Sequence, residues 1–268
     1  MLAQMAKCEG FCVLAIDCYG DCDTRHYALD FKKVDSLSLA NLIPTVGYFL
    51  NNYQIDYAIY GSGFEYFSDS LPYLASCLPL VGNSPETFTK VQDKAFFFRS
   101  LKKFDIPFPK TVFSPPKSTQ NWLIKPMKGL GGVDISRLSQ TPLPQTPVYF
   151  QQFQAGASGS ALFLSDGKDV DILGFNTQLT HDDFLFSSII NCSALTPKQR
   201  DLITVWVLTL SRFFSLKGLH SIDFIANNNT LFILEINTRP PASAQLYDAS
   251  LITRHIECSV KKLSLIHI

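Results

Sequence analysis

Two runs rich in β-branched and aromatic residues, Leu219–Ala226 and Thr230–Ile236, are joined through Asn227-Asn228-Asn229 and restrict the fold more than any other segment. Such runs around turn-forming residues predict an antiparallel hairpin. Successive side chains of a strand face opposite sides. His220, Ile222, Phe224 and Ala226 then make one face of the first strand, and Phe232, Leu234 and Ile236 one face of the second. Nearly all are apolar and predict packing on a core. The opposite face carries Asp223 on one strand and Glu235 and Asn237 on the other, alongside Leu219, Ile225, Leu231 and Ile233. A turn centred on Asn229 sets Asp223 across from Glu235 at roughly 5 Å, the spacing of opposed strand residues. Two carboxylates that close repel unless a cation lies between them. Mg²⁺ takes oxygen ligands and binds through one or two carboxylates together with substrate phosphates, and Asn237 adds a neutral oxygen. A solvated hairpin face is the plain alternative, but the apolar neighbours on that face argue against it.

A second constellation lies earlier in the chain. Trp122-Leu123-Ile124-Lys125-Pro126 reads as a strand ending in a lysine, followed by Met127-Lys128-Gly129-Leu130-Gly131-Gly132-Val133. Glycines let backbone N–H groups approach a phosphate, and a lysine at the mouth of the loop supplies a point charge. The spacing fits neither a Walker A loop nor a dinucleotide fingerprint, so a plain hairpin turn competes with the phosphate reading. Lys94 follows Asp93 within a predicted helix, where a lysine is ordinarily solvated. Gln151-Gln152-Phe153 lies in a predicted strand whose backbone can address an adenine edge.

Strands and helices alternate over the first part of the chain, which predicts a small sheet of largely parallel strands. Met1–Glu9 reads as a helix, Cys12–Asp17 as a strand, Tyr19–Thr24 as a polar turn and Ser38–Asn51 as a helix. Tyr57–Tyr60 reads as a strand closed by Gly61-Ser62-Gly63, Leu71–Ala75 as a helix, and Thr87–Phe104 as one continuous helix. Prolines 115, 116, 142, 144 and 147 punctuate a strand-like stretch over 111–150. Beyond it come strands near Val148–Phe153 and Ser160–Ser165 and a helix across Pro197–Ser215. We expect units at 1–86, 87–147 and 148–268.

Composition removes several functions. Lys+Arg and Asp+Glu both number 23 with no like-charge block, so a basic footprint for nucleic acid is missing. Apolar runs such as Ile203–Leu210 fall short of the ~20 residues that span a bilayer. The first residues lack the character of a signal peptide, and the expectation is a soluble, cytoplasmic protein. Seven cysteines, an odd number in a long chain, read as reduced thiols. Cys8, Cys12, Cys18 and Cys22, with His26 nearby, contain no Cys-x-x-Cys pair for zinc.

In order along the chain stand Asp-Lys at 93–94, Leu-x-x-x-x-Ile-Pro-x-Pro-Lys at 101–110 and Ile-Lys-Pro at 124–126. The glycine loop follows, then Gln-Gln-Phe-Gln-Ala-Gly at 151–156, Ser-Ile-Asp-Phe at 221–224 and Leu-Glu-Ile-Asn-Thr-Arg-Pro-Pro at 234–241. Together they resemble the ATP-grasp superfamily over about residues 80 to 260. The resemblance implies an α/β fold of two lobes gripping ATP, preceded by a Rossmann-like lobe. It implies that Lys94 and Lys125 contact phosphates, with Lys128, Gly129, Gly131 and Gly132 in a flap and Gln151, Gln152 and Phe153 as the adenine hinge. Asp223, Glu235 and Asn237 would hold Mg²⁺ or Mn²⁺, with Arg239 and Lys125 catalytic. The implied activity joins a small-molecule carboxylate to an amine or thiol through an acyl phosphate, with a homodimer also expected. The carboxylate is expected between the lobes, near Arg239 and Gly61-Ser62-Gly63, with Glu65 receiving the incoming ammonium or capping a helix.

Asp17-x-Tyr-Gly-Asp-x-Asp23-Thr-Arg, Gly61-Ser-Gly-Phe-Glu65 and Arg239-Pro-Pro-Ala-Ser resemble a branch found beside methanopterin-type one-carbon cofactor genes, similar to the tyramine–glutamate ligases of methanofuran synthesis. Two positions depart from the superfamily. Ser221 stands where many ligases carry Arg, and Ala157 or Ser158 where many carry a ribose-binding acid. The chain also begins inside the expected first helix, without the usual first strand, and ends abruptly at Ile266-His267-Ile268, as a truncated product would. A nucleotide-binding module without turnover is the alternative reading.

Overall fold

The computed structural model describes residues 1–139, 143–181, 184–227, 230–247 and 250–260. Asn228 and Asn229 of the hairpin turn, Pro142 and the final Ile266-His267-Ile268 lie outside them. Helix α1 (Leu2–Cys8) precedes β1 (Leu14–Asp17), α2 (Cys22–Tyr27) and β2 (Asp30–Lys33), and β1 pairs with β2 in parallel. The expected polar turn over Tyr19–Thr24 therefore becomes a helix in its second half, because Asp21 accepts from Thr24 N at 2.6 Å and caps it. Helix α3 (Leu39–Asn52), β3 (Ala58–Ile59), α4 (Ser70–Cys77) and β4 (Leu80–Val81) complete the first lobe, with β3 and β4 also parallel.

The helix expected over Thr87–Phe104 is two helices, α5 (Pro85–Gln92) and α6 (Lys94–Lys103). Asp93 breaks them. Its backbone is extended (φ −65°, ψ 96°), and its carboxylate accepts from Phe96 N at 2.9 Å to start the second helix. A four-stranded antiparallel sheet follows in the order β5 (Thr111–Val112), β8 (Val148–Gln152), β6 (Trp122–Pro126), β7 (Ser136–Arg137). The expected boundary after residue 147 falls in front of β8, which pairs within this sheet, so we propose it after β8.

The large lobe is a five-stranded antiparallel sheet in the order β11 (Phe186–Ile190), β10 (Val170–Thr180), β9 (Ala157–Asp166), β12 (Lys217–Ala226), β13 (Leu231–Asn237). On one side Ala161, Phe163, Ile222, Phe224, Leu231, Ile233 and Ile236 pack with Phe97, Phe98 and Leu101 of α6 and with Ile203, Val207 and Leu210 of α7 (Pro197–Phe214). Full burial of each of the Phe, Leu, Ile and Val side chains among them is worth about 1.5–3 kcal/mol. On the other side Leu162, Leu164 and Leu219 pack with Leu251 and Cys258 of α8 (Leu251–Val260), and the same face also carries the polar Ser158, Ser160, Ser221 and Asp223. His255 of α8 accepts the Leu219 N–H on Nδ1 at 2.8 Å. Gly218 permits that approach, since at φ +90° a Cβ would collide with the imidazole.

The hairpin carries a bulge that changes the expected faces. Asp223 does pair with Glu235, but Phe224 pairs with Ile233, so Leu234 is an extra residue on β13. This bulge shifts the alternation. Leu231 and Ile233 are buried on the core side with Phe224, while Phe232 and Leu234 are only half-buried.

Candidate active site

The polar face of the large sheet meets α6 and the small sheet at the expected residues. Asp223 sits across from Glu235, and Asn237 opposes Ser221 two rungs further along, on the same face. Asn237 Nδ2 donates to Asp223 Oδ2 at 3.1 Å and to Ser221 Oγ at 3.2 Å. Its amide nitrogen is thereby directed inward, and its Oδ1 has no protein partner among the described residues. Ser221, standing where many ligases have arginine, thus helps to orient Asn237. Lys94, at the first position of α6, donates to Glu235 Oε2 at 3.0 Å. The Lys94 side chain is 10% exposed and that of Glu235 42%, so the pair is open to solvent screening on the acid's side.

From the small sheet, Lys125 Nζ donates to Gln151 Oε1 at 3.1 Å, and Gln151 Nε2 donates to Thr111 Oγ1 at 3.0 Å. Burial lowers the Lys125 ammonium to about 8; Glu235 pulls it back up while Lys94 adds repulsion. Burial, and then the charge of Glu235, push the Asp223 carboxyl up to about 7. Burial would raise Glu235 too, but Lys94 and Lys125 outweigh it and hold that carboxyl below its ordinary value. The site therefore pairs one acid short of positive charge with one well supplied. A hard cation between them would relieve the first, and the free oxygens of Asn237 and Glu235 are donors of the right kind. The residues fit Mg²⁺.

The glycine loop leans on the large lobe. Gly131 O accepts from Phe186 N at 2.9 Å, and Gly132, at φ +80°, packs so closely on the Phe184 carbonyl that a Cβ would collide with it. Lys128 is exposed. At the expected hinge, Gln152 N donates to Lys110 O at 2.9 Å and Phe153 N to Asn121 O at 2.8 Å, so both N–H groups are used within the small lobe. The Phe153 ring lies under the Arg137 guanidinium, 4.5 Å from its centre, and 6.2 Å from the ring of Phe184.

Across the first lobe, Gly61-Ser62-Gly63 follows β3. Both Glu65 oxygens are engaged, Oε2 by Gly63 N at 2.8 Å and Oε1 by Arg239 Nε at 3.0 Å. Two contributors, Gln178 and Asn83, are not among the expected site residues, and Ser158, expected only as a departure at the ribose position, joins them. Gln178 of β10 donates to Asp223 Oδ1 at 3.2 Å, and Ser158 of β9 donates to Gln178 Oε1 at 3.1 Å. Asn83 joins Lys217 N (2.9 Å) and Thr238 O (2.9 Å) across the lobes. Polar residues at alternate positions, 158 and 160 with 176 and 178, are the available signal for Gln178 and Ser158. All seven cysteines are free thiols, and the described residues contain no group of three His, Cys, Asp or Glu placed to hold a metal. No helix among them is long and apolar enough to cross a membrane.

Solved structures share this architecture. N5-carboxyaminoimidazole synthetase of Staphylococcus aureus, complexed with ADP, aligns at TM-score 0.74 and 18% identity over 98% of this chain and 74% of its own. The biotin carboxylase domain dimer of Hydrogenobacter thermophilus 2-oxoglutarate carboxylase, in complex with MgADP, ADP and bicarbonate, aligns at 0.75 and 15% over 98% and 67%. In sequence, the carbamoyl phosphate synthase large chain of Lachnoclostridium phytofermentans is 22% identical over 186 residues, 60% of this chain but 17% of that protein's length. Residues 91–243, more than half of the chain, match the family described as ATP-grasp domain. On that match the chain belongs to the ATP-grasp domain family, whose members are ATP-dependent ligases and carboxylases.

Proposed function

We propose that this chain is an ATP- and Mg²⁺-dependent ligase joining a small-molecule carboxylate to an amine or thiol. The observation that carries the reading is the convergence of Asp223, Glu235 and the free Asn237 oxygen with the ammonium groups of Lys94 and Lys125, from two sheets and one helix start. Bound Mg-ATP would supply the phosphoryl group that turns the carboxylate into an acyl phosphate. The chain's own groups then have distinct tasks. Glu235 fixes Lys94 in place, and Lys125, about 8 in its buried setting, stays largely protonated at pH 7 to meet phosphate charge. Gln178 and Asn237 hold Asp223 by one oxygen each. Gly131 and Gly132, seated on Phe186 and Phe184, screen the site from water. Arg239, two residues past Asn237, receives the carboxylate.

Mg²⁺-dependent ATP binding is the test. Asp223→Ala and Glu235→Ala should each weaken ATP at least tenfold in Mg²⁺ while leaving thermal unfolding cooperative. Wild-type ATP affinity in both variants would sink the metal assignment. The substrate pair follows from an ADP-release screen of carboxylates, bicarbonate and glutamate included, against amines. Glutamate with tyramine-like amines comes first, on the Asp17–Arg25, Gly61–Glu65 and Arg239–Ser243 motifs. A second reading, a nucleotide-binding module without turnover, draws on Ser221. ATP binding with no ADP release for any pair would favour it. Sedimentation of the full chain tests self-association.

A further inference from the structure

Glu65 and Arg239 come from different lobes and form an ion pair nearly closed to solvent, with 4% and 11% of their side chains exposed. Arg239 Nε donates to Glu65 Oε1, and Gly63 N–H donates to Oε2. The carboxylate is thus tied to its own loop by one oxygen and to the arginine by the other. A guanidinium has five N–H donors, and Arg239 uses one; neither Nη has a protein partner among the described residues. With Nε taken, what remains is the end-on fork of the two Nη groups, which matches the two oxygens of one carboxylate or phosphate. The neighbouring backbone is fixed from the same side, since Thr238 O accepts from Tyr60 Oη at 3.2 Å and from Asn83 Nδ2 at 2.9 Å.

We propose that Glu65 is a positioning residue for Arg239: it anchors Nε so that the Nη pair presents a fixed fork to the substrate's oxyanion, and it does not itself receive the amine. This rests on the reading of Arg239 given under Proposed function. The first lobe then contributes the aim of an arginine that the large lobe carries.

The test uses the full chain loaded with Mg²⁺ and ADP, and follows arginine side chains by ¹⁵N NMR while bicarbonate, and separately inorganic phosphate, is titrated in. Wild type should show one slowly exchanging Nε–H signal that is absent in Arg239→Lys. In the isosteric Glu65→Gln, that signal should exchange at least tenfold faster and the anion should bind at least fivefold more weakly, with ADP affinity within twofold of wild type. Glu65→Asp, which keeps the charge on a shorter stem, should recover part of the anion affinity. In an Arg239→Lys background, Glu65→Gln should have no further effect on the anion. Unchanged exchange and affinity in Glu65→Gln would overturn the proposal. So would an equal loss in the Arg239→Lys background, or a wild type that binds neither anion. Wild-type anion affinity in Arg239→Lys would instead remove the role given to Arg239, while the exchange data still report whether Glu65 holds it.

Discussion

Acidification from pH 7 to pH 5 should destabilise this protein through two histidines that are buried uncharged. His255 is 1% exposed and His220 fully buried. Burial lowers His255 to about 4, and burial followed by the charge of His255 lowers His220 to about 3. The geometry around His255 says why. Its Nδ1 accepts the Leu219 N–H at 2.8 Å, so a proton placed there would face another donor. The ordinary value, about 6.5, applies to the unfolded chain. A folded-state value below the unfolded one means that the neutral form is favoured by folding. The stability is complete above pH 6.5 and is lost as pH falls toward 4. Each tenfold difference in proton affinity between the two states is worth ~1.4 kcal/mol. Over the interval from pH 7 to pH 5 the unfolded histidine takes up most of a proton and the folded one almost none, which removes roughly 2 kcal/mol per histidine. That is a large part of a total stability of ~5–15 kcal/mol. Asp223, raised to about 7, works in the opposite direction, because its folded form holds a proton that the unfolded chain releases above about pH 4. The informative quantity is therefore a difference. Urea unfolding at pH 7 and pH 5 should show wild type losing ~2 kcal/mol more than His255→Asn, whose Oδ1 can still accept from Leu219 N but cannot take up a proton. Equal losses in the two proteins would refute the reasoning, as would an NMR titration of His255 near 6.5.

Two further expectations come from backbone geometry. Gly132→Ala should cut turnover far more than melting temperature, because its Cβ runs into the Phe184 carbonyl and undocks the loop. Gly131→Ala, with nothing nearer than 3.9 Å, carries only the left-handed backbone cost of about 1 kcal/mol; equal kinetic effects would count against loop docking. Glu9→Ala should cost about 1–2 kcal/mol in urea unfolding, since Glu9 accepts from Ile252 N (2.9 Å), Thr253 N (2.7 Å) and Thr253 Oγ1 (2.8 Å) and so caps α8 from the first helix. An unchanged midpoint would show that α8 holds without it.

What could be seen in the sequence was local and periodic. The pairing of Asp223 with Glu235 follows from counting residues across a short turn, and the structure keeps that rung. The same count misplaced Leu231 and Ile233, because a bulge has no residue signature here: Leu234 is as apolar as its neighbours. The break at Asp93 was hidden because apolar spacing continues through Phe88, Val91, Phe97 and Phe98, although an Asp three residues before Phe96 is a capping residue in the right place. Gln178 and its strand have no clean period in the sequence, since Gly174 and a register shift after Ile172 interrupt the alternation of β10. The Glu65–Arg239 pair spans 174 positions, and no periodicity links residues so far apart.

Leu234 has a consequence beyond bookkeeping of faces. It divides β13 into two phases, one read outward from the turn, which sends Leu231 and Ile233 into the core, and one read from the far end, which sends Glu235 and Asn237 toward Lys94 and Asp223. Deleting that one residue would close the bulge and leave the pairs Phe224–Ile233 and Asp223–Glu235 adjacent. The bulge is what keeps both halves on their proper sides: paired regularly at its present length, the strand would turn either its core half or its acid half the wrong way, because a one-residue slip reverses every side chain beyond it. The core and the acid site thus share one strand through a local distortion of the backbone and not through an unbroken alternation of residues.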